Sequence, residues 1–187
     1  MSLLEQQNFL AKIYTDEQFR RAFLSEPEKT GKENSLNENE IAEIFAVLPE
    51  EIGFFAESLF RKRLREVEKL LPLTREITGA DFTPLFREFA RIYNPQTVKK
   101  HLEDAIAFCD FLRENNLVTE TSKNVAKYEQ TKLNFYGYEK RFAHCFLSGD
   151  VREIFHRNEK NSKAILKKKM KLAIWLRSGN TVRHCFI

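Results

Sequence analysis

Between Pro49 and Pro72 the apolar residues Ile52, Phe55, Ala56, Leu59, Phe60, Leu64, Val67 and Leu71 recur three and four apart. That spacing gathers them on one side of a helix, and such a stripe is stable only when buried against another apolar surface. A chain built on this pattern folds as packed helices. The same rhythm runs through most of the first 148 residues. Leu3 to Tyr14 begins a helix, and Thr15 with Gln18 has capping-box spacing before a second one that runs to Leu24. Pro27 and Glu28 open a short turn, and the residues from Gly31 to Ser35 read as a polar break. Asn37 and Glu40 are spaced as a further capping box ahead of Ile41, Ile44, Phe45 and Leu48.

Downstream, Asp81 or Thr83 caps a stripe of Phe82, Leu85, Phe86, Phe89, Ala90 and Tyr93, which Pro95 ends. Leu102, Ala105, Ile106, Cys109 and Leu112 form the next stripe, closing near Asn115. From Thr119 to Phe146 the residues Tyr128, Thr131, Phe135, Tyr138, Phe142 and Cys145 predict one long helix, weakened at Gly137.

After Gly149 the period changes to two. Met170, Leu172, Ile174 and Leu176 alternate with Lys171, Ala173 and Trp175; Ser178-Gly179-Asn180 signals a turn, and Val182, His184 and Phe186 alternate beyond it. This predicts a β-hairpin. A lone hairpin is marginal in water, so it must pack on the helices, gain a strand from Val151–Phe155, or pair with another chain. The expected fold is mainly α: a helical bundle over residues 1–148, with a basic β-hairpin or small β-sheet at 149–187 packed on it.

Charge follows the same division. Residues 151–187 hold 10 Lys and Arg against 2 Asp and Glu, while the chain as a whole carries a net charge of +4. The tail is therefore strongly cationic and the remainder acidic. Two basic runs are candidate contact surfaces. In the first, Arg61, Lys62 and Arg65 lie mid-helix, where they could meet phosphates or simply form a solvated face. In the second, Lys167, Lys168, Lys169 and Lys171 could steer an acidic peptide or a nucleic acid, or protect a strand edge from aggregation. Trp175 joins this second group as the tail's large aromatic anchor.

Other chemistries find little support. The four histidines, His101, His144, His156 and His184, show no zinc-ligand spacing, no glycine-rich phosphate loop is present, and Cys109, Cys145 and Cys185 do not suggest a disulfide framework. No catalytic residue, metal or cofactor is expected. No apolar run reaches the ~18–20 residues that a membrane span needs, and the N-terminus lacks the pattern of a secretory signal, so a cytoplasmic chain is expected.

Two stretches resemble known families. Residues 9–44, through Phe23, Leu24, Pro27, Glu28, Leu36 and Glu40, are similar to the helical starts of nitrogen-fixation-type leader and accessory proteins. Residues 58–95, through Leu70, Leu71, Pro72, Gly79, Phe82, Leu85, Phe89 and Pro95, resemble a bacterial helical family assigned a DNA-binding character, whose members accompany iron-dependent enzymes that modify ribosomally made peptides. Tyr128-Glu129 is similar to a helix of that family too. The resemblance implies a helical domain with a small β-containing C-terminal part. It also implies an accessory role in which a protein or peptide partner is recruited. Nucleic acid is the alternative partner, bound through Arg61–Arg65 and the tail, and the hairpin could equally form the seam of a homodimer.

Overall fold

The computed structural model describes residues 3–46, 49–95, 97–116, 118–149, 151 and 170–187. The chain forms two compact units, Met1–Arg65 and Glu66–Ile187. Among the described residues, four helices lie wholly in the first unit: α1 (Leu3–Thr15), α2 (Glu17–Ser25), α3 (Pro27–Glu33) and α4 (Glu38–Ala46). The long helix α5 (Pro49–Leu70) begins in this unit and ends in the second.

Phe9, Ile13, Phe23, Leu36, Ile41 and Ile52 form the core of the first unit, with the ring of Phe9 edge-on to both Phe19 and Phe23 at 5.3 Å. The Asn37–Glu40 capping box is present in both directions. Asn37 Oδ1 accepts from the Glu40 amide at 2.9 Å, and Glu40 Oε2 accepts from the Asn37 amide at 2.9 Å. The cap of α2 is Asp16, which accepts from the Phe19 amide at 2.9 Å. Thr15 instead ends α1, where its hydroxyl donates to the Ala11 carbonyl at 2.7 Å. The expected polar break at Gly31–Ser35 is shorter than that, because α3 continues to Glu33. Glycine is needed there for packing: a Cβ at Gly31 would stand 2.4 Å from Ile41 Cγ1.

The second unit continues through α6 (Pro72–Thr78), a 3-10 turn at Gly79–Asp81, α7 (Phe82–Ile92), α8 (Lys100–Glu114) and α9 (Glu120–Gly137). Pro72 does close α5, but it also occupies the first turn of α6, a helix the sequence reading passed over. Rings of Phe82, Phe86, Phe89 and Phe108 interlock between α7 and α8 at centroid distances of 5.2–5.4 Å from Phe108.

α9 stops at Gly137, so the long helix expected through Phe146 is corrected. Glu139 takes φ 50° and the chain reverses into strand β1 (Phe142–Leu147). Strands β2 (Lys171–Ser178) and β3 (Thr181–Phe186) form the expected hairpin, with Gly179 at φ 57° in the first position of its two-residue turn. The sheet is antiparallel in the order β1-β2-β3. Its third strand is thus β1 and not Val151–Phe155. Val151 is buried in a turn, and residues 152–155 lie outside the described residues.

The sheet lies on α9. Cys145, Leu147, Ala173 and Trp175 point at Val125, Tyr128 and Phe135 of that helix, and Leu73 of α6 completes the cluster. Burying side chains of this size stabilises the unit by about 1.5–3 kcal/mol each before entropy is counted. Lys127 in α9 ties the layers further by donating to the Phe146 carbonyl at 2.8 Å.

Candidate protein-binding face of the C-terminal sheet

Successive side chains of a strand point to opposite faces. With Cys145, Leu147, Ala173 and Trp175 turned toward α9, the residues between them form the other face. The strand registers align Phe142 with Leu176 and Arg183, His144 with Ile174 and Cys185, and Phe146 with Leu172. Ile187 adds to the last row, because it exchanges two backbone hydrogen bonds with Leu172, both of 2.9 Å. Of these nine side chains, only His144 and Arg183 are strongly polar.

Phe142 is 53% exposed, Phe146 54% and Leu176 47%, while Met170 and Ile187 at the margin are exposed further still. Leu172 and Ile174 are half-buried between them. The His144 ring sits between two phenylalanines, with centroids 5.3 Å from Phe142 and 5.8 Å from Phe146. An antiparallel sheet covered on one side normally alternates apolar-in and polar-out. Here both faces are apolar, which is the pattern of a sheet made to be covered twice. Contiguous apolar surface of this kind marks interaction sites.

The residues singled out from sequence fall in different places. Trp175 is a core residue and not a surface anchor. It is 1% exposed, stacks on His184 at 4.6 Å, and lies 5.4 Å from the Tyr128 ring, because its position in β2 turns it toward α9. Lys171 is half-buried at the start of β2, on the same side as Ala173 and Trp175. Lys167, Lys168 and Lys169 lie outside the described residues. Arg61, Lys62 and Arg65 are exposed on α5. The charge of Arg61 is locally offset by Glu57 at 3.1 Å, and Glu66, one turn from Lys62, pairs with Lys69 at 2.7 Å.

Sequence reading missed Phe142, His144 and Phe146 as surface residues because they were assigned to a helix. The signal was nevertheless present. The alternation of Leu172, Ile174 and Leu176 against Ala173 and Trp175 requires a strand that is apolar on both sides.

Among the described residues, no group of three or more His, Cys, Asp or Glu is placed to hold a metal ion, and no helix is long and apolar enough to cross a membrane. Two shallow hollows lie elsewhere on the second unit. One, of about 370 Å³, is lined by Tyr93, Glu103, Asp110 and Tyr138. The other, of about 290 Å³, lies beside Asp81, Glu88 and Thr119. Cys109 and Cys145 are buried, and burial pushes the Cys109 thiol well above its ordinary pKa and raises the Cys145 thiol as well.

Residues 49–114 match the family model of the SCO6045-like, C-terminal domain. The match runs from the start of α5 to the end of α8 and contains the stretch 58–95. It covers about a third of the chain, and it leaves out the C-terminal sheet. No curated protein matches the chain.

Proposed function

We propose that this protein is a non-catalytic accessory protein that binds a protein or peptide partner through the outer face of its C-terminal sheet. The observation that carries this reading is the second apolar face. Phe142, Phe146, Leu172, Ile174, Leu176 and Ile187 lie together on the side of the sheet away from α9. Leaving such side chains in water forgoes about 25 cal/mol for each Å² that a partner could cover. The setting we propose is bacterial peptide natural-product biosynthesis, beside an enzyme that modifies ribosomally made peptides. The similarity of residues 58–95 to the accessory proteins of such systems supports it.

The test is affinity capture of the tagged chain from its native host, run beside the doubly substituted chain Phe142→Ser, Phe146→Ser. Loss of a specific protein or peptide from the variant's eluate is the expected result. Identical eluates would sink the reading.

A second reading, nucleic-acid binding, rests on exposed Lys62 and Arg65 of α5. Phosphate binding must weaken with salt by a log–log slope of about 0.9 per phosphate contacted. Affinity for duplex DNA that hardly moves between low and moderate salt excludes this reading.

A further inference from the structure

The outer face of the sheet has dimensions and a charge that narrow what can cover it. Along β1, Phe142 and Phe146 are four residues apart, about 14 Å, and β1 to β3 is two strand spacings, about 10 Å. That footprint suits roughly two to three turns of one α-helix, which is about 10 Å across and rises 5.4 Å per turn. The other face of the same sheet is covered mainly by one helix, α9, with Leu73 and Ile77 of α6 beside it. A helix on the outer face would complete a three-layer arrangement.

The charge is one-sided. The three strands and their turn contain Lys171, Arg177 and Arg183 and no carboxylate, with Lys171 and Arg177 turned to the α9 side, where Arg177 lies 5.2 Å over the Phe135 ring. Arg183 stands on the outer face itself, in the row with Phe142 and Leu176. Exposed Lys140 and Arg141 lie at the entry to β1, against Glu139 alone. Two internal candidates for covering the face are disfavoured on the same ground. A second copy would bring a second set of these cations. Residues 152–169 carry seven Lys and Arg against two Glu, so they share the sign of the sheet.

Building on the accessory reading, we propose that the occupant is an amphipathic helix of a partner, with an apolar stripe flanked by carboxylates. Apolar residues at i, i+3, i+4 and i+7 of that helix meet Phe146, Ile174 and Leu176, and its acids meet Arg183. The apolar contact supplies affinity, and the ion pairs set orientation and exclude basic partners.

The test uses the full chain and three fluorescein-labelled synthetic peptides of equal length. One is helical with a leucine stripe and glutamate flanks. The second has the same stripe with lysine flanks. The third has glutamates alternating with valines, a β pattern. Fluorescence anisotropy should show the glutamate helix binding about tenfold or more tightly than either of the others, a difference of about 1.4 kcal/mol. Arg183→Glu should reduce that preference. Phe142→Ser with Phe146→Ser should abolish binding while the circular dichroism and melting temperature are retained.

Equal affinity for the glutamate and lysine helices overturns the proposal, as does preference for the β-pattern peptide. A dimer in sedimentation that the double serine variant dissociates also overturns it, because the occupant is then a second copy. If host capture still depends on Phe142 and Phe146 while the acidic helix shows no preference, this proposal falls and the accessory reading stands. If host capture is indifferent to them, both fall.

Discussion

Glu129 of α9 holds Thr74 of α6 twice, through the Thr74 amide at 2.8 Å and the Thr74 hydroxyl at 2.7 Å. Its other carboxylate oxygen accepts from the Leu73 amide at 3.0 Å. Leu71, at the N-cap of α6, has no side chain able to cap, so a carboxylate from 55 residues away satisfies the first amides of that helix. Glu129 is 3% exposed. It locks the α6 layer to the helix that carries the sheet, and so helps fix the floor beneath the outer face.

Replacing Glu129 with Ala leaves those donors buried without an acceptor. Glu129→Ala should destabilise the second unit by about 3 kcal/mol, and Glu129→Gln, which keeps one acceptor oxygen, by about 1–2 kcal/mol. Urea unfolding monitored by circular dichroism checks both values. Equal and negligible losses would mean that the α6 cap is dispensable.

The same carboxyl has a pH signature. Burial holds its pKa above the usual range, against the lowering effect of the Thr74 and Leu73 hydrogen bonds. The folded chain therefore keeps a proton that the unfolded chain has released. Between the unfolded value of about 4.3 and the raised folded value, this group's contribution to stability declines as pH rises, and it is flat above. The stability difference between the native chain and Glu129→Gln should shrink across that window. A difference that grows with pH would contradict the assignment.

Close packing at the end of α9 gives a third expectation. A Cβ at Gly137 would stand 2.4 Å from Leu102 Cδ2 in α8. Gly137→Ala should cost about 1–3 kcal/mol, and adding Leu102→Ala should relieve that particular clash, giving a non-additive cycle. Additive melting temperatures would place the strain elsewhere.

How far the sequence led depended on where each signal was stored. The stripe of α5 and the Asn37–Glu40 cap are local, and both were readable. α6 was not, because its cap is Glu129 and Pro72 was read only as an ending. β1 was mistaken for helix because Phe142, His144 and Phe146 face one way and Ala143, Cys145 and Leu147 the other. A strand apolar on both faces shows no polar alternation, and its spacing from Phe135 and Tyr138 mimicked a helical stripe. Trp175 is grouped with the tail's basic residues as a partner-binding candidate by sequence, whereas the register turns it onto Tyr128. The outer face became visible only once β1 was paired with β2.

Thiol chemistry separates the two faces. Cys145 is buried toward α9, Cys109 is buried within α8, and Cys185 is exposed on the outer face beside Ile174. A thiol reagent at neutral pH should modify one cysteine quickly in the folded chain and all three after denaturation. Mass spectrometry of the labelled peptides identifies the site, and rapid labelling of Cys145 would contradict the orientation of the sheet.

That selectivity makes the most direct test of the central claim, that the outer face is where a partner binds. A benzophenone maleimide placed on Cys185 of the otherwise native chain is irradiated in extract of the native host, beside Cys185→Ser with Thr83→Cys, which carries the probe on α7. The account predicts a discrete crosslinked protein or peptide from Cys185 that is absent from the α7 position and is lost with Phe142→Ser and Phe146→Ser. The same products from both positions, or none from Cys185 when the tagged chain captures its partner, would contradict it.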